Sequence, residues 1–171
     1  PLGLVSCPEI KQTGANTVRI VWAITQNLQA GGPATSPLKL DALIANAKAT
    51  HLIPMIELHD ATGDWSRLDK LVSYWTQPAV ASITRKHQAY LLVNIGNEVG
   101  DGSVTQTDFV AGVIDAVLRL RAGGIHAPLV IDAPDWGKDL GMLNSTAATL
   151  VAADPEGNLI FSVHLYWPMA D

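Results

Sequence analysis

Short apolar runs alternate with longer stretches of helical spacing along the whole chain. The runs at 17–22, 52–58, 90–96, 129–133 and 159–166 are rich in β-branched and aliphatic residues and predict five strands. Between them, apolar residues at three- and four-residue steps predict helices over 38–50, 65–77 with a continuation to 87, 107–123 and 139–153. In the stretch headed by Thr107, the residues Phe109, Val110, Val113, Ile114, Val117, Leu118 and Leu120 keep this spacing until Gly123-Gly124 stop it. Strands that alternate with helices make parallel βαβ units. The stretch from Ala30 to Pro37, rich in Gly, Pro and small residues, reads as the loop after the first strand.

Periodicity alone does not decide whether such a sheet is open and doubly wound or closed as a barrel. The polar positions do. No Gly-rich phosphate loop follows a strand, so the usual mark of a nucleotide-binding open sheet is missing. Polar residues instead take alternate positions within the strands. Arg19 opposes Val18, Ile20 and Trp22; Met55, Glu57 and His59 share a face; so do Asn94, Gly96 and Glu98, and again Ser162, His164 and Tyr166. In a barrel that face is the lumen, with functional groups gathered at the C-terminal strand ends. The expected fold is α/β: a partial (β/α)8 barrel of about five parallel strands with interleaved helices, forming a single domain over 1–171.

Composition narrows the chemistry. Hydrophobic residues make up 48% of the 171 positions and charged residues 16%, enough apolar material for one core. The net charge is −5 and the eleven Lys and Arg are scattered, so neither nucleic acid nor an anionic membrane surface is an expected partner. No apolar window is long enough for a membrane helix. The opening Pro1-Leu2-Gly3 does not read as a secretion leader, which carries little weight because the chain is read as opening inside a structural unit. The one cysteine, Cys7, excludes an internal disulfide framework and is read as a small apolar filler.

Glu98 carries the strongest chemical signal. A carboxylate at the mouth of an apolar strand, beside Asn97 and above Asn94, is costly to place there. Two readings stay open at this point: a helix cap or partner of Arg19, and a catalytic acid. Glycoside hydrolysis needs a carboxylic acid to protonate the departing oxygen and a second carboxylate as nucleophile or base. Glu98 suits the first role.

The segments Gly14-Ala15-Asn16-Thr17-Val18-Arg19-Ile20-Val21, Glu57-Leu58-His59-Asp60-Ala61-Thr62-Gly63, Val93-Asn94-Ile95-Gly96-Asn97-Glu98, Ile131-Asp132-Ala133-Pro134-Asp135-Trp136-Gly137 and Phe161-Ser162-Val163-His164-Leu165-Tyr166 resemble glycoside hydrolase family 5. They are most similar to its bacterial endo-β-1,4-mannanases, with endo-β-1,4-glucanases close behind. The resemblance implies a retaining hydrolase of β-1,4-linked mannan or glucan, without a cofactor and secreted. It makes Glu98 the acid/base, Asn97 the partner of the sugar 2-hydroxyl, and Arg19 the arginine that orients the nucleophilic glutamate. It sets His59 at the reaction subsite and makes His164 and Tyr166 the pair that positions carboxylates and sugar. Trp65, Trp136 and Trp167 follow strand ends, where flat rings suit pyranose faces, although a tryptophan is more often core; Trp22 suits this less, because its face opposes Arg19. Val99 and Trp167-Pro168 depart from the mannanase pattern, which leaves mannan and glucan unseparated.

The family places its nucleophile on strand seven, and this chain reaches strand six, lacking strands one, seven and eight. The expectation is therefore an inactive or nearly inactive chain. A competing expectation is a non-catalytic module that self-assembles, as a homodimer through the edges at 17–22 and 159–166. A third reading gathers Glu57, His59, Glu98, Asp132 and His164 around a divalent metal. Glu57 is expected to brace His59 or Arg19, Asp132 to hydrogen-bond in the lumen, Asp60 and Asp135 to be loop or cap residues, and His51, His87 and His126 to be solvated.

Overall fold

The computed structural model describes residues 5–24 and 36–166. Five strands, β1 (Thr17–Trp22), β2 (Ile53–Leu58), β3 (Leu92–Asn94), β4 (Leu129–Asp132) and β5 (Leu159–Ser162), form one sheet. All neighbours are parallel and the spatial order is the chain order, β1-β2-β3-β4-β5. An open doubly wound sheet reverses its strand order at a switch point; an arc that never reverses is a stretch of (β/α) barrel wall.

The helices α1 (Ser6–Gln12), α2 (Pro37–Ala49), α3 (Leu68–Trp75), α4 (Pro78–His87), α5 (Gln106–Ala122) and α7 (Leu140–Ala153) fill the connections, together with the four-residue turn α6 (Pro134–Gly137), whose Asp135 and Trp136 are left-handed rather than α-helical. Helix starts follow sequence chemistry. The Ser36 side chain accepts the Lys39 N–H at α2, Thr105 accepts the Asp108 N–H at α5, and Asp139 accepts the Met142 N–H at α7. Of the loop expected at 30–37, residues 30–35 lie outside the described residues, and Pro37 already opens α2. The long helix expected from 65 to 87 is broken. Its first turn, Trp65–Arg67, is 3-10, and Pro78 divides the remainder into α3 and α4, because proline has no N–H and forces Gln77 into an extended ψ of 135°.

The sheet has two unlike faces. Ile20, Trp22, Ile56, Leu58, Val93, Leu129, Ile131, Leu159 and Phe161 pack against the helices, with Leu40, Ile44, Leu71, Trp75, Phe109, Val117 and Leu120 opposite them. The other face carries Arg19, Glu57, Asn94 and Asp132. Parallel register keeps it together, since Val21 stands beside Glu57, Glu57 beside Asn94, and Asp132 beside Ser162.

β3 and β5 are shorter than their apolar runs suggest. The 3-10 turn Gln88–Tyr90 precedes β3, and beyond Asn94 the regular ladder ends where the Asn94 side chain accepts the Gly96 N–H at 3.0 Å. After β5 the His164 N–H turns to the Gly137 carbonyl at 2.8 Å. Helix α1, only seven residues long, has no counterpart in the periodicity. It covers Cys7, which is 3% exposed and packs with Ala47 and Leu52, as the small filler expected there. No helix among the described residues is long and apolar enough to cross a membrane.

His87 corrects the expectation that it is solvated. It is buried at the end of α4 and meets Asp41 of α2 at 2.6 Å, an acid it shares with Lys86. The Lys86 and His87 hydrogen bonds hold the Asp41 carboxyl below its usual range. His51 and His126 are exposed as expected, the latter paired with Glu156.

A buried ion pair ties the end of α5 to the turn before β5. Arg121 grips Asp154 through Nε and Nη2, both at 2.9 Å, and its Nη1 donates to the Ile125 and Ala127 carbonyls at 2.8 Å. Burial pushes the Asp154 carboxyl up, but Arg121 and the Asn158 and Glu156 N–H groups outweigh it and hold the carboxyl below its ordinary value. Replacing Asp154 by Ala strands a buried guanidinium, so unfolding free energy should fall by about 3 to 5 kcal/mol in urea titrations. The folded value lies below the unfolded one. The contribution of Asp154 is therefore complete above about pH 4 and disappears as pH falls through the folded value. Asp154→Asn should lack that component of acid-side destabilisation in melts recorded from pH 6 downward.

Candidate active site

The strand ends bring the chemistry together in two linked clusters. In the first, Arg19 on β1 donates to Oε2 of Glu57 on β2 and, at 2.5 Å, to Oδ1 of Asn97. Glu57 is fully buried, and its other oxygen meets His59 Nδ1 at 2.7 Å. Glu57 therefore braces both of the residues between which the sequence left a choice. A buried carboxylate is tolerable only when both oxygens are engaged, and these two are. Asn97 then turns its amide nitrogen to Thr62 Oγ1 at 2.9 Å, which fixes its orientation beside Glu98.

The second cluster surrounds Glu98, which is 7% exposed. Its carboxylate Oε1 meets His164 Nδ1 at 2.6 Å and accepts the Tyr166 hydroxyl. That hydrogen bond to Glu98 raises the Tyr166 phenol above its ordinary range, so Tyr166 stays a donor at neutral pH. The backbone of Glu98 is left-handed, with φ of 49°, an uncommon state for a residue with a Cβ, costing on the order of 1 kcal/mol or more. Its N–H donates to Asp132 Oδ2 at 3.0 Å and its carbonyl accepts the Gly63 N–H at 2.8 Å. The helix-cap reading of Glu98 does not describe this arrangement, because α5 is capped by Thr105. Arg19 pairs with Glu57 rather than with Glu98.

Two glycines make room. A Cβ on Gly137 would lie 2.8 Å from His164 Cγ and 3.2 Å from Glu98 Cγ, and one on Gly63 would lie 2.4 Å from Trp136 Nε1. In the sequence both glycines figure only inside motifs, and Thr62 has no role of its own. Their signal is steric and appears only once the loops are in place.

The tryptophans separate. Trp136 is 42% exposed, sits on α6 beside a left-handed Asp135, is itself left-handed at φ of 51°, and lies over Gly63 next to the Glu98 loop. Trp65 instead packs on Phe109 at 5.8 Å between ring centroids and over Gly112 of α5, so the structure gives its ring a packing position. Trp22 and Trp75 are buried, bonding Tyr74 Oη at 2.7 Å and the Ile95 carbonyl at 3.1 Å. Trp167 lies outside the described residues. Asp60 takes the loop position of the two readings open to it and accepts the Ile24 N–H at 2.7 Å, without capping a helix. Asp132 is the expected hydrogen-bonding residue, with the Glu98 N–H among its partners. Among the described residues no three of His, Cys, Asp and Glu converge as a metal site, so Glu57, His59, Glu98, Asp132 and His164 form two hydrogen-bonded groups rather than one coordination sphere.

The family profile Cellulase (glycosyl hydrolase family 5) matches residues 6–171. The chain is 37% identical over 168 residues to a mannan endo-1,4-beta-mannosidase of Streptomyces lividans, covering 94% of this chain and 42% of that protein. It is 33% identical to a mannan endo-1,4-beta-mannosidase of Cellvibrio japonicus, covering 92% of this chain and 36% of the relative. The structure superposes on the mannotriose complex of Thermomonospora fusca beta-mannanase with a TM-score of 0.84 and 35% identity, over 98% of this chain and 56% of that one. The chain thus spans about half the length, or less, of the curated relatives it matches. With a family match running from residue 6 to 171 and a sheet whose arc superposes on a mannanase barrel, this chain belongs to glycoside hydrolase family 5.

Proposed function

We propose that this chain carries the acid/base half of a retaining endo-β-1,4-mannanase site. The observation that carries the reading is Glu98: a nearly buried carboxyl at a strand end, one oxygen engaged by His164 and Tyr166, on a backbone held from both sides. In the first step Glu98 gives a proton to the departing glycosidic oxygen, and in the second it takes one from the attacking water. The nucleophile is the strand-seven glutamate that the family resemblance assigns. Arg19, anchored by buried Glu57, keeps further N–H donors for orienting it. His59 and Asn97 flank the sugar bound at the reaction centre. The names of the curated relatives favour mannan over glucan. A polymer of that kind is met outside the cell, so secretion belongs to the same proposal.

Reducing-sugar release from galactomannan, glucomannan and carboxymethyl cellulose tests the reading. Galactomannan should be the better substrate, and Glu98→Gln should lower kcat by about 10²- to 10⁴-fold. The assay is made on a protein that includes the strand-seven glutamate; absence of release by its wild-type form, or an unchanged rate in its Glu98→Gln form, overturns the reading. Trp136, half exposed beside the acid, is assigned to sugar stacking; Trp136→Ala should raise KM on mannohexaose about three- to tenfold with kcat little changed.

A second proposal concerns the sheet edges. β1 and β5 are the outer strands, with Val21 and Ile160 exposed on the sheet. Edges of this kind accept further strands of the same barrel or a second copy of the chain. The homodimer form predicts twice the chain mass in light scattering at micromolar concentration, and a stable monomer overturns it.

A further inference from the structure

We propose that Asn94 and Asp132 form a positioning pair that holds Glu98 in its left-handed backbone conformation and so aims its carboxyl. The inference rests on the acid/base reading of Glu98. β3 ends at Asn94, four residues before the acid. Beyond it the Ile95 and Asn97 N–H groups still reach the Val130 and Leu58 carbonyls at 3.3 and 2.8 Å, whereas those of Gly96 and Glu98 turn to side chains. Those side chains are Asn94 itself and Asp132 at the end of β4.

Asp132 is 7% exposed and has both oxygens engaged. Oδ1 accepts the Asn94 side-chain N–H at 2.9 Å, and Oδ2 accepts the backbone N–H of Glu98 at 3.0 Å. The same Oδ2 stands 3.3 Å from Nε2 of His164, whose other ring nitrogen faces the Glu98 carboxylate. Asn94 completes the device by accepting the Gly96 N–H on Oδ1 at 3.0 Å. One carboxylate therefore fixes the acid's backbone and also touches the ring that orients its side chain.

The chemistry at each position is constrained. Asp132 must accept from every donor around it, which a carboxylate does and an amide does not. Asn94 must donate to one neighbour and accept from another, which an amide does and a carboxylate does not. Asp132 bonds the Glu98 backbone and not its carboxyl, so its role is positioning. The effect on rate follows from geometry, since a misplacement of about 1 Å in a catalytic group costs roughly 10²-fold.

The test compares Asp132→Ala with the exchanged pair Asn94→Asp/Asp132→Asn, in which the acceptor and the donor–acceptor pattern between the strands are both rebuilt. Kinetics are read, in a protein that includes the strand-seven glutamate, on galactomannan and on a dinitrophenyl β-mannobioside, whose leaving group departs without a proton. Asp132→Ala should lower kcat on galactomannan by about 10²-fold with KM changed by no more than about twofold. Its loss of kcat/KM on the dinitrophenyl substrate, which reads the first step alone, should be about tenfold smaller than on galactomannan, and the exchanged pair should recover about tenfold or more of the galactomannan rate. Equal losses on both substrates, or a change confined to KM, overturn the proposal. Amide exchange gives a reading independent of turnover. The Glu98 N–H should exchange about tenfold faster or more in Asp132→Ala and regain protection in the exchanged pair; unchanged protection overturns the clamp. A wild-type protein that includes the strand-seven glutamate and hydrolyses neither substrate overturns the acid/base reading of Glu98, and amide exchange then decides the clamp alone.

Discussion

The register of four parallel ladders is the constraint on which everything else rests. Side chains alternate across a strand, so a slip of one residue would turn Glu57 or Asn94 into the helix layer and bring Ile56 or Val93 to the open face. Burial makes such a slip prohibitive in both directions, because Ile56 and Val93 are completely enclosed and buried Glu57 is satisfied by Arg19 and His59. Apolar packing and polar pairing thus enforce the same register from opposite sides of the sheet. The strand ends inherit their chemistry from that agreement.

Buried charge in this molecule serves alignment more than stability. The enclosed pair of Arg121 with Asp154 and the buried Glu57 beneath an exposed Arg19 give back much of their attraction as desolvation cost. What they retain is direction. Arg121 joins α5 to the turn that launches β5, and Glu57 joins two neighbouring residues of the polar face into a rigid group. A flexible acid could satisfy the same hydrogen-bond count without fixing where its partners point.

Much of this was legible in the residues. The strand starting at Thr17 has the expected bounds, and Arg19 and Glu57 share the polar face as period-two alternation predicts, whereas the adjacent Asn97 and Glu98 both reach the site only because the chain leaves the ladder after Asn94 and turns left-handed at Glu98. What failed to show was set by contacts rather than by pattern. Pro78 split a helix that spacing alone carried through, and β3 shrank because one side chain, that of Asn94, captured an N–H the ladder would have used. His87 reads as a terminal, solvated residue, yet it turns onto Asp41 of a helix far away in sequence. Trp65 and Trp136 look alike in the chain and differ only in what lies beneath their rings.

The clearance at Gly63 and Gly137 bears on how this scaffold can diversify. Each glycine sits on a different strand-to-helix connection, and each admits a neighbouring ring where a methyl group would collide with it. Both also have positive φ, so the backbone excludes substitution independently of the space. Loops are where such barrels ordinarily vary. Here two loops carry fixed points, and a library that randomises them freely would consist mostly of proteins with displaced rings. Productive variation is confined to positions that leave these two clearances empty.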